Sequence, residues 1–150
     1  MNLQCNEHIN APIERVFAAS TDVPRWAETI SAITKIEMLT DGPVGVGTRF
    51  RETRKMFGKE ATEEMTFTAF DPPNSYTLHA QSHGCLYESG FRFTPEGQGA
   101  RVEFFFRGEP QTFGAKVMNA IMGPLFKGSM VKMVRKDLLD LKAHVESGAA

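Results

Sequence analysis

The chain carries almost no net charge. Its 17 basic and 18 acidic residues leave a formal charge of −1, so it lacks the field that recruits nucleic acid or an anionic membrane surface. Cysteine is scarce. Cys5 and Cys85 are too few for a disulfide framework, and reduced thiols in a cytoplasmic protein are expected. No apolar run approaches the roughly 18 residues that span a bilayer, so stable membrane insertion is not expected. The opening MNLQCNEHINAP has neither a basic n-region nor an apolar h-region, and no secretory signal is visible in it.

Several chemical signatures are missing as well. No Cys-x-x-Cys, His-Glu-x-x-His or facial-triad spacing is present, and neither a metal nor another cofactor is expected. His79 and His83 fall on one face of a proposed strand, but four residues of strand separate them by ~13 Å, too far to share a metal ion. No Gly-x-Ser-x-Gly elbow marks a hydrolase nucleophile. The glycine-rich run Gly42–Gly47 contains Gly-x-Gly, yet a phosphate loop needs a strand before it and a helix after it. Here a strand follows, so the run reads as a connector.

What is present is 150 residues with 12 phenylalanines and eight methionines. That length suits one domain, residues 1–150, with a core of ordinary size. Phenylalanine packs with definite shape, whereas methionine adapts to irregular space. Together they suit an ordinary core or an adaptable apolar cavity.

Residues 2–10 suit a strand with Leu3, Cys5 and Ile9 on one face. Pro12 and Glu14 suit a helix start running to about Ser20. A second short helix follows, with Asp22 as its expected cap and Trp26 and Ile30 as its apolar contacts. Residues 33–39 return to strand character. Residues 48–109 then read as an antiparallel meander cut by turn signals at Gly58-Lys59, Asp71–Asn74, His83-Gly84 and Pro95–Gly99.

A trial register can be written through these turns. It pairs Phe50 with Phe67, Arg54 with Glu63 and Met56 with Ala61. It continues with Phe67 opposite Leu78, Ala69 opposite Tyr76, Leu78 opposite Ser89, and Ala80 opposite Tyr87. Tyr76 then meets Phe91, Phe91 meets Phe104, and Phe93 meets Val102. The other face pairs Arg92 with Glu103 and Glu88 with Arg107, and lays Phe105 beside Gly90. One register thus yields one continuous apolar face, which a one-residue slip would invert.

A sheet with one wet face needs a cover on the other. Residues 112–146 supply it, with Phe113, Val117, Ile121, Leu125, Val131, Val134, Leu138, Leu141 and Val145 at helical spacing. Gly123-Pro124 predicts a kink or break, because proline removes one backbone donor and clashes with the preceding turn.

This order of elements is that of the helix-grip fold, an α+β arrangement. INAPIERVFAASTDVPRWAETI (9–30), GPVGVGTRF (42–50), FDPP (70–73) and RKDLLDLK (135–142) resemble the SRPBCC (START-like) superfamily in its polyketide cyclase/dehydrase branch. The resemblance implies an incomplete antiparallel barrel wrapped around a long C-terminal helix, with a ligand cavity between them. On that frame the expected apolar lining is Trp26, Ile30, Phe50, Met65, Phe67 and Leu78. Phe91, Phe104, Phe106, Met118, Met122 and Phe126 complete it, so the helical wall is placed at 117–130.

Five polar residues fall on the same inner face: Glu52, Arg54, Glu63, Tyr87 and Ser89. Arg54 and Glu63, neighbours in the trial register, read either as a structural pair or as part of a cluster orienting a ligand head. Three functions follow as expectations. The first is a monomeric or homodimeric module binding a small, largely apolar molecule that is lipid-, sterol- or polyketide-like. The second is a cofactor-independent cyclase, aromatase or dehydratase, with Glu52 or Glu63 as acid–base and Tyr87 and Arg54 on an enolate. The third is a protein-interaction domain whose cavity is vestigial and whose partner surface includes the outer sheet face near Phe105. No residue is assigned as catalytic.

Overall fold

The computed structural model describes residues 2–56, 58–82 and 84–148, with the backbone alone described for Ser82, Asn119 and 121–126. The chain forms β1 (Asn2–Ile9), α1 (Ile13–Thr21), a single turn of 3-10 helix (Val23–Arg25) and α2 (Trp26–Thr29). Six strands follow: β2 (Ile33–Met38), β3 (Arg49–Met56), β4 (Lys59–Asp71), β5 (Ser75–Ser82), β6 (Cys85–Glu96) and β7 (Gly99–Pro110). The chain closes with α3 (Phe113–Glu146). All seven strands lie in one antiparallel sheet in the order β1-β7-β6-β5-β4-β3-β2. This open sheet with its long C-terminal helix is the helix-grip architecture.

The alternation of side chains builds the core. Leu3, Cys5 and Ile9 of β1 are buried, as are Phe50, Phe67, Leu78, Phe93, Val102 and Phe104 of the meander. Val134, Leu138, Leu141 and Val145 of α3 close over them. Phe17 of α1 packs edge-on against Phe70, Tyr76 and Phe93. The Tyr76 hydroxyl lies 2.8 Å from Ser20 Oγ, and Trp26 Nε1 donates to the Ser20 carbonyl at 3.2 Å. These bonds satisfy polar atoms that would be costly to bury unpaired, and they fix both short helices against the sheet.

The register through β5, β6 and β7 is the expected one. Leu78 faces Ser89, Ala80 faces Tyr87 and Tyr76 faces Phe91. Phe91 faces Phe104, Phe93 faces Val102 and Gly90 faces Phe105.

Four local expectations are corrected. Met56 pairs with Lys59, one residue earlier than the expected turn allows, so Phe50 faces Met65, Arg54 faces Ala61, and Glu52 faces Glu63. Gly58 takes φ +80°, which a tight two-residue hairpin turn demands and glycine alone adopts without strain. On β4 a bulge follows Phe67, so Ala69 faces Thr77 and Phe70 faces Tyr76. The extra residue turns Phe70 inward, where it packs on Phe17 and Phe67. Asp22 makes no side-chain cap bond and pairs with Arg25 at 3.7 Å instead.

The fourth correction concerns α3: the break is absent, since the chain is helical from Phe113 to Glu146, through Gly123-Pro124. Proline at that point removes one backbone bond, and the regular turns on both sides carry the helix past it. The first turn of α3 is capped by Thr112, whose hydroxyl accepts from the Ala115 N–H at 3.1 Å. No described helix is long and apolar enough to cross a membrane.

Candidate functional site

The inner face of the sheet does not pack solid against α3. A cavity of about 520 Å³ opens between them, within the roughly 300–1,000 Å³ range of small-molecule sites. The sheet lines it with Met65, Leu78, Phe91, Phe104 and Phe106, and Trp26 and Ile30 close one side. The Tyr87 and Phe106 rings stack at 5.5 Å and present one continuous aromatic surface.

A polar patch interrupts this apolar wall. Glu52 and Arg54 project inward from β3, with the same parity as the buried Phe50. Arg54 Nε donates to Glu52 Oε1 at 2.7 Å, and its Nη2 donates to Asp137 Oδ2 of α3 at 2.9 Å. Glu52 is 6% exposed and the Arg54 side chain 14%. Charges so buried need paired hydrogen-bonding partners. Burial alone would lower the Arg54 pKa, but the two carboxylates more than reverse that, and the guanidinium stays charged. Burial holds the Asp137 carboxyl above the usual carboxylate range, with Glu52 and Asp140 adding to the shift and Arg54 opposing it. Among the described residues, Asp137 Oδ1 is the one buried side-chain polar atom without a hydrogen-bond partner.

Glu63 lines the cavity directly across the ladder from Glu52, and Tyr87 and Ser89 add hydroxyls on β6. Burial and interactions with Cys85 and Glu63 push the Tyr87 phenol up to about 12. It therefore stays protonated at neutral pH and can donate a hydrogen bond. Chemically the wall can orient a polar head, donate to a carbonyl or accept from a hydroxyl or amine. Among the described residues no cluster of histidine, cysteine, aspartate or glutamate could hold a metal ion.

Twelve of the expected residues meet at this cavity: Trp26, Ile30, Glu52, Arg54, Glu63 and Met65 on one part of the wall, and Leu78, Tyr87, Ser89, Phe91, Phe104 and Phe106 on the other. Phe50 and Phe67 do not line it. Both are fully buried and fill the core behind the wall, where Phe50 meets the Trp26 ring edge-on at 5.3 Å. Met118 is 61% exposed and lies away from the cavity. The side chains of Met122 and Phe126, and the whole of His83, lie outside the described residues.

The helical wall begins at Met130, the end of the expected segment, and continues through later turns with Met133, Val134, Asp137, Leu138 and Leu141. Asp137 is the functional candidate that sequence reasoning missed. Its spacing from Met130, Met133, Val134 and Leu141 is helical, so it could have been found by asking which acid shares their face. Arg54, expected beside Glu63, instead bridges a strand carboxylate and a helix carboxylate.

Comparison with known proteins gives consistent results. A family model described as polyketide cyclase/dehydrase and lipid transport matches residues 4–146. Among solved structures, TTHA0849 from Thermus thermophilus superposes with a TM-score of 0.82 at 21% identity, covering 100% of both chains. A START superfamily protein from Mycobacterium smegmatis gives 0.80 at 13% identity over 97% of each chain. The di-domain ARO/CYC protein BexL gives 0.79 at 18% identity, over 97% of this chain and 50% of that one. At these identities the structural likeness establishes the shared fold. No curated protein matches the sequence.

Proposed function

Because the chain belongs to the polyketide cyclase/dehydrase and lipid transport family, we propose that it binds a small, largely apolar molecule between the sheet and α3. The observation that carries this reading is the cavity of about 520 Å³, walled by aromatic and methionine side chains. An interior that served stability alone would be packed at crystal-like density. Met65, Met130 and Met133 supply unbranched, adaptable side chains that suit a ligand of variable shape. The test is uptake of a neutral fluorescent probe such as Nile red, together with native mass spectrometry of the purified protein. A blue-shifted, saturable emission or a co-purifying apolar molecule supports the reading; absence of both overturns it.

A second reading is a cofactor-independent cyclase or dehydratase, favoured by the acid, guanidinium and phenol that meet at one wall. Asp137, held protonated further up the pH scale by burial, would act as a proton donor to a leaving hydroxyl. Glu63 would take a proton from carbon beside a carbonyl, and Tyr87 would donate to the enolate oxygen. Glu52 is engaged by Arg54 and serves to position it. Turnover of a linear poly-β-ketone into a cyclised, dehydrated product would separate this reading from simple binding.

A further inference from the structure

The near-zero net charge of the chain hides an uneven distribution. From Gln111 to Lys136 there are five basic residues and no acid, so all 18 acidic residues lie elsewhere. Arg135 and Lys136 have carboxylate neighbours in Glu7 and Asp140. Lys116 and Lys127 stand exposed on the earlier turns of α3. Exposed apolar surface is concentrated in the same stretch. Of the five large apolar side chains exposed among the described residues, Phe113, Val117 and Met118 fall within six positions, and Phe113 is 83% exposed. Single exposed apolar residues need no explanation, whereas a cluster of them marks an interaction surface.

The helical period puts Phe113, Lys116, Val117, Ala120 and Lys127 on one face of α3. The Gln111 N–H donates to the Gly84 carbonyl at 2.7 Å, which anchors the start of the helix beside the β5–β6 turn. In this antiparallel sheet the β3–β4 turn lies at the same end. Met56 and Ala61, which flank that turn, line the cavity. Lys55 and Lys59 add exposed positive charge there against Glu60, and Glu109 is the nearest acid before α3.

We infer that the opening turns of α3, together with Lys127, dock on the surface of an anionic phospholipid bilayer, peripherally and without spanning it. Apolar side chains set among lysines, with no carboxylate between them, match the two layers of such a surface. Phe113 and Val117 enter the acyl boundary, and the long lysine stems reach back to the phosphates. A second copy of this chain is a poorer partner, because its acids are matched by neighbouring cations, as in the Arg51–Glu37, Arg101–Glu96 and Arg107–Glu88 pairs. Docking brings the bilayer to the end of the sheet that the cavity reaches. The inference stands on the helix surface and does not require the cavity to be a ligand site.

The test is co-sedimentation of the intact protein with phosphatidylcholine vesicles, with and without phosphatidylserine, at low and at physiological salt. Phosphatidylserine is expected to raise the partition coefficient at least ~10-fold at low salt, and added salt to reduce it. Phe113→Ser, and separately Lys116→Glu combined with Lys127→Glu, are each expected to lower it at least ~5-fold. Circular dichroism and Nile red affinity, measured without vesicles, should stay unchanged in both. Leu139→Ser removes an exposed apolar side chain from a distant turn and should leave the partition coefficient as it was. Equal binding to both vesicles overturns the inference, and so does binding that the Phe113 and lysine variants leave intact. Absence of binding to either vesicle also overturns it, including the case in which size-exclusion chromatography shows a dimer that Phe113→Ser dissolves. Nile red uptake without vesicle binding overturns the docking and leaves the cavity reading intact.

Discussion

The ring of Phe105 lies directly over the bare backbone of Gly90 on the outer face of the sheet. A Cβ placed on Gly90 would come within 2.2 Å of the ring's Cζ and 2.3 Å of its Cε1. The pair faces across β6 and β7, and the glycine leaves the space that the aromatic fills. The ring can swing into solvent, so Gly90→Ala should cost only ~1 kcal/mol, the low end of overpacking. Phe105→Ala should remove most of that cost when combined with it. Urea denaturation of the four members of the double-mutant cycle should give a coupling of ~0.5–1 kcal/mol. Strict additivity would mean that the ring does not rest on Gly90.

Two phenylalanines two residues apart on β6 should respond differently to truncation. Phe93 is 1% exposed and packs against Phe17 and Tyr76. Phe93→Ala should cost ~3–5 kcal/mol, because it empties a filled site. Phe91 borders the cavity, so its truncation widens a space that already exists. Phe91→Ala should cost ~1–3 kcal/mol by the same measurement, since fewer packing contacts are lost. Equal losses would indicate that the cavity is filled in solution.

Met133→Trp should block the cavity from the helix side. Met133 lines it, whereas Met118 is exposed. The substitution is expected to reduce Nile red affinity by at least ~10-fold while the thermal midpoint stays within a few degrees of the parent's. Met118→Ser should leave probe affinity unchanged. The opposite ranking would move the site toward the first turns of α3.

The pH dependence of stability should show two signs. Burial raises the pKa of Asp137 in the folded protein. Its stabilising contribution is therefore complete below its unfolded pKa of about 3.9 and is lost as pH rises through the folded value. Asp137→Asn should accordingly cost most in acid, and its deficit should shrink as pH increases. Glu88 behaves oppositely. Its pKa is lowered, first by the hydrogen bond from Arg107 and also by the one from His79 at 2.8 Å. Its contribution is present above the unfolded pKa and lost as pH falls through the folded value. Glu88→Gln should cost under ~1 kcal/mol at neutral pH, because Glu88 is only half-buried and Arg107 is exposed, and nothing in strong acid. Thermal melts across the acid range check both directions, and a Glu88→Gln deficit that grows in acid would reverse the assignment.

The sequence by itself determined which faces of the strands turn inward. Period-two alternation marked Phe50, Glu52, Arg54, Leu78, Tyr87, Ser89, Phe91 and Phe104 for one side, and the structure brings them there. Turn residues set the strand ends, and the β5–β6–β7 pairings followed from them. The same alternation could not tell which residue of β3 meets which of β4. Moving the turn by one residue changes every partner by two positions and leaves every face unchanged. Only the folded sheet therefore decided that Arg54 does not pair with Glu63 and that Glu52 does face it. The bulge after Phe67 is likewise silent in the pattern until Phe70 is seen to point inward.

The helix shows the same division more sharply. Helical spacing announced α3, but a helix of 34 residues, about 50 Å long, has more apolar surface than the sheet covers. Phe113, Val117 and Met118 remain exposed, whereas Val134, Leu138, Leu141 and Val145 are buried. Periodicity specifies the angle of a side chain around the helix axis; it carries no information about which turns lie over the sheet. That axial position is set by packing against β1, α1 and β7. It is what carries Asp137 to Arg54, 83 residues away in sequence, and so creates the polar end of the cavity.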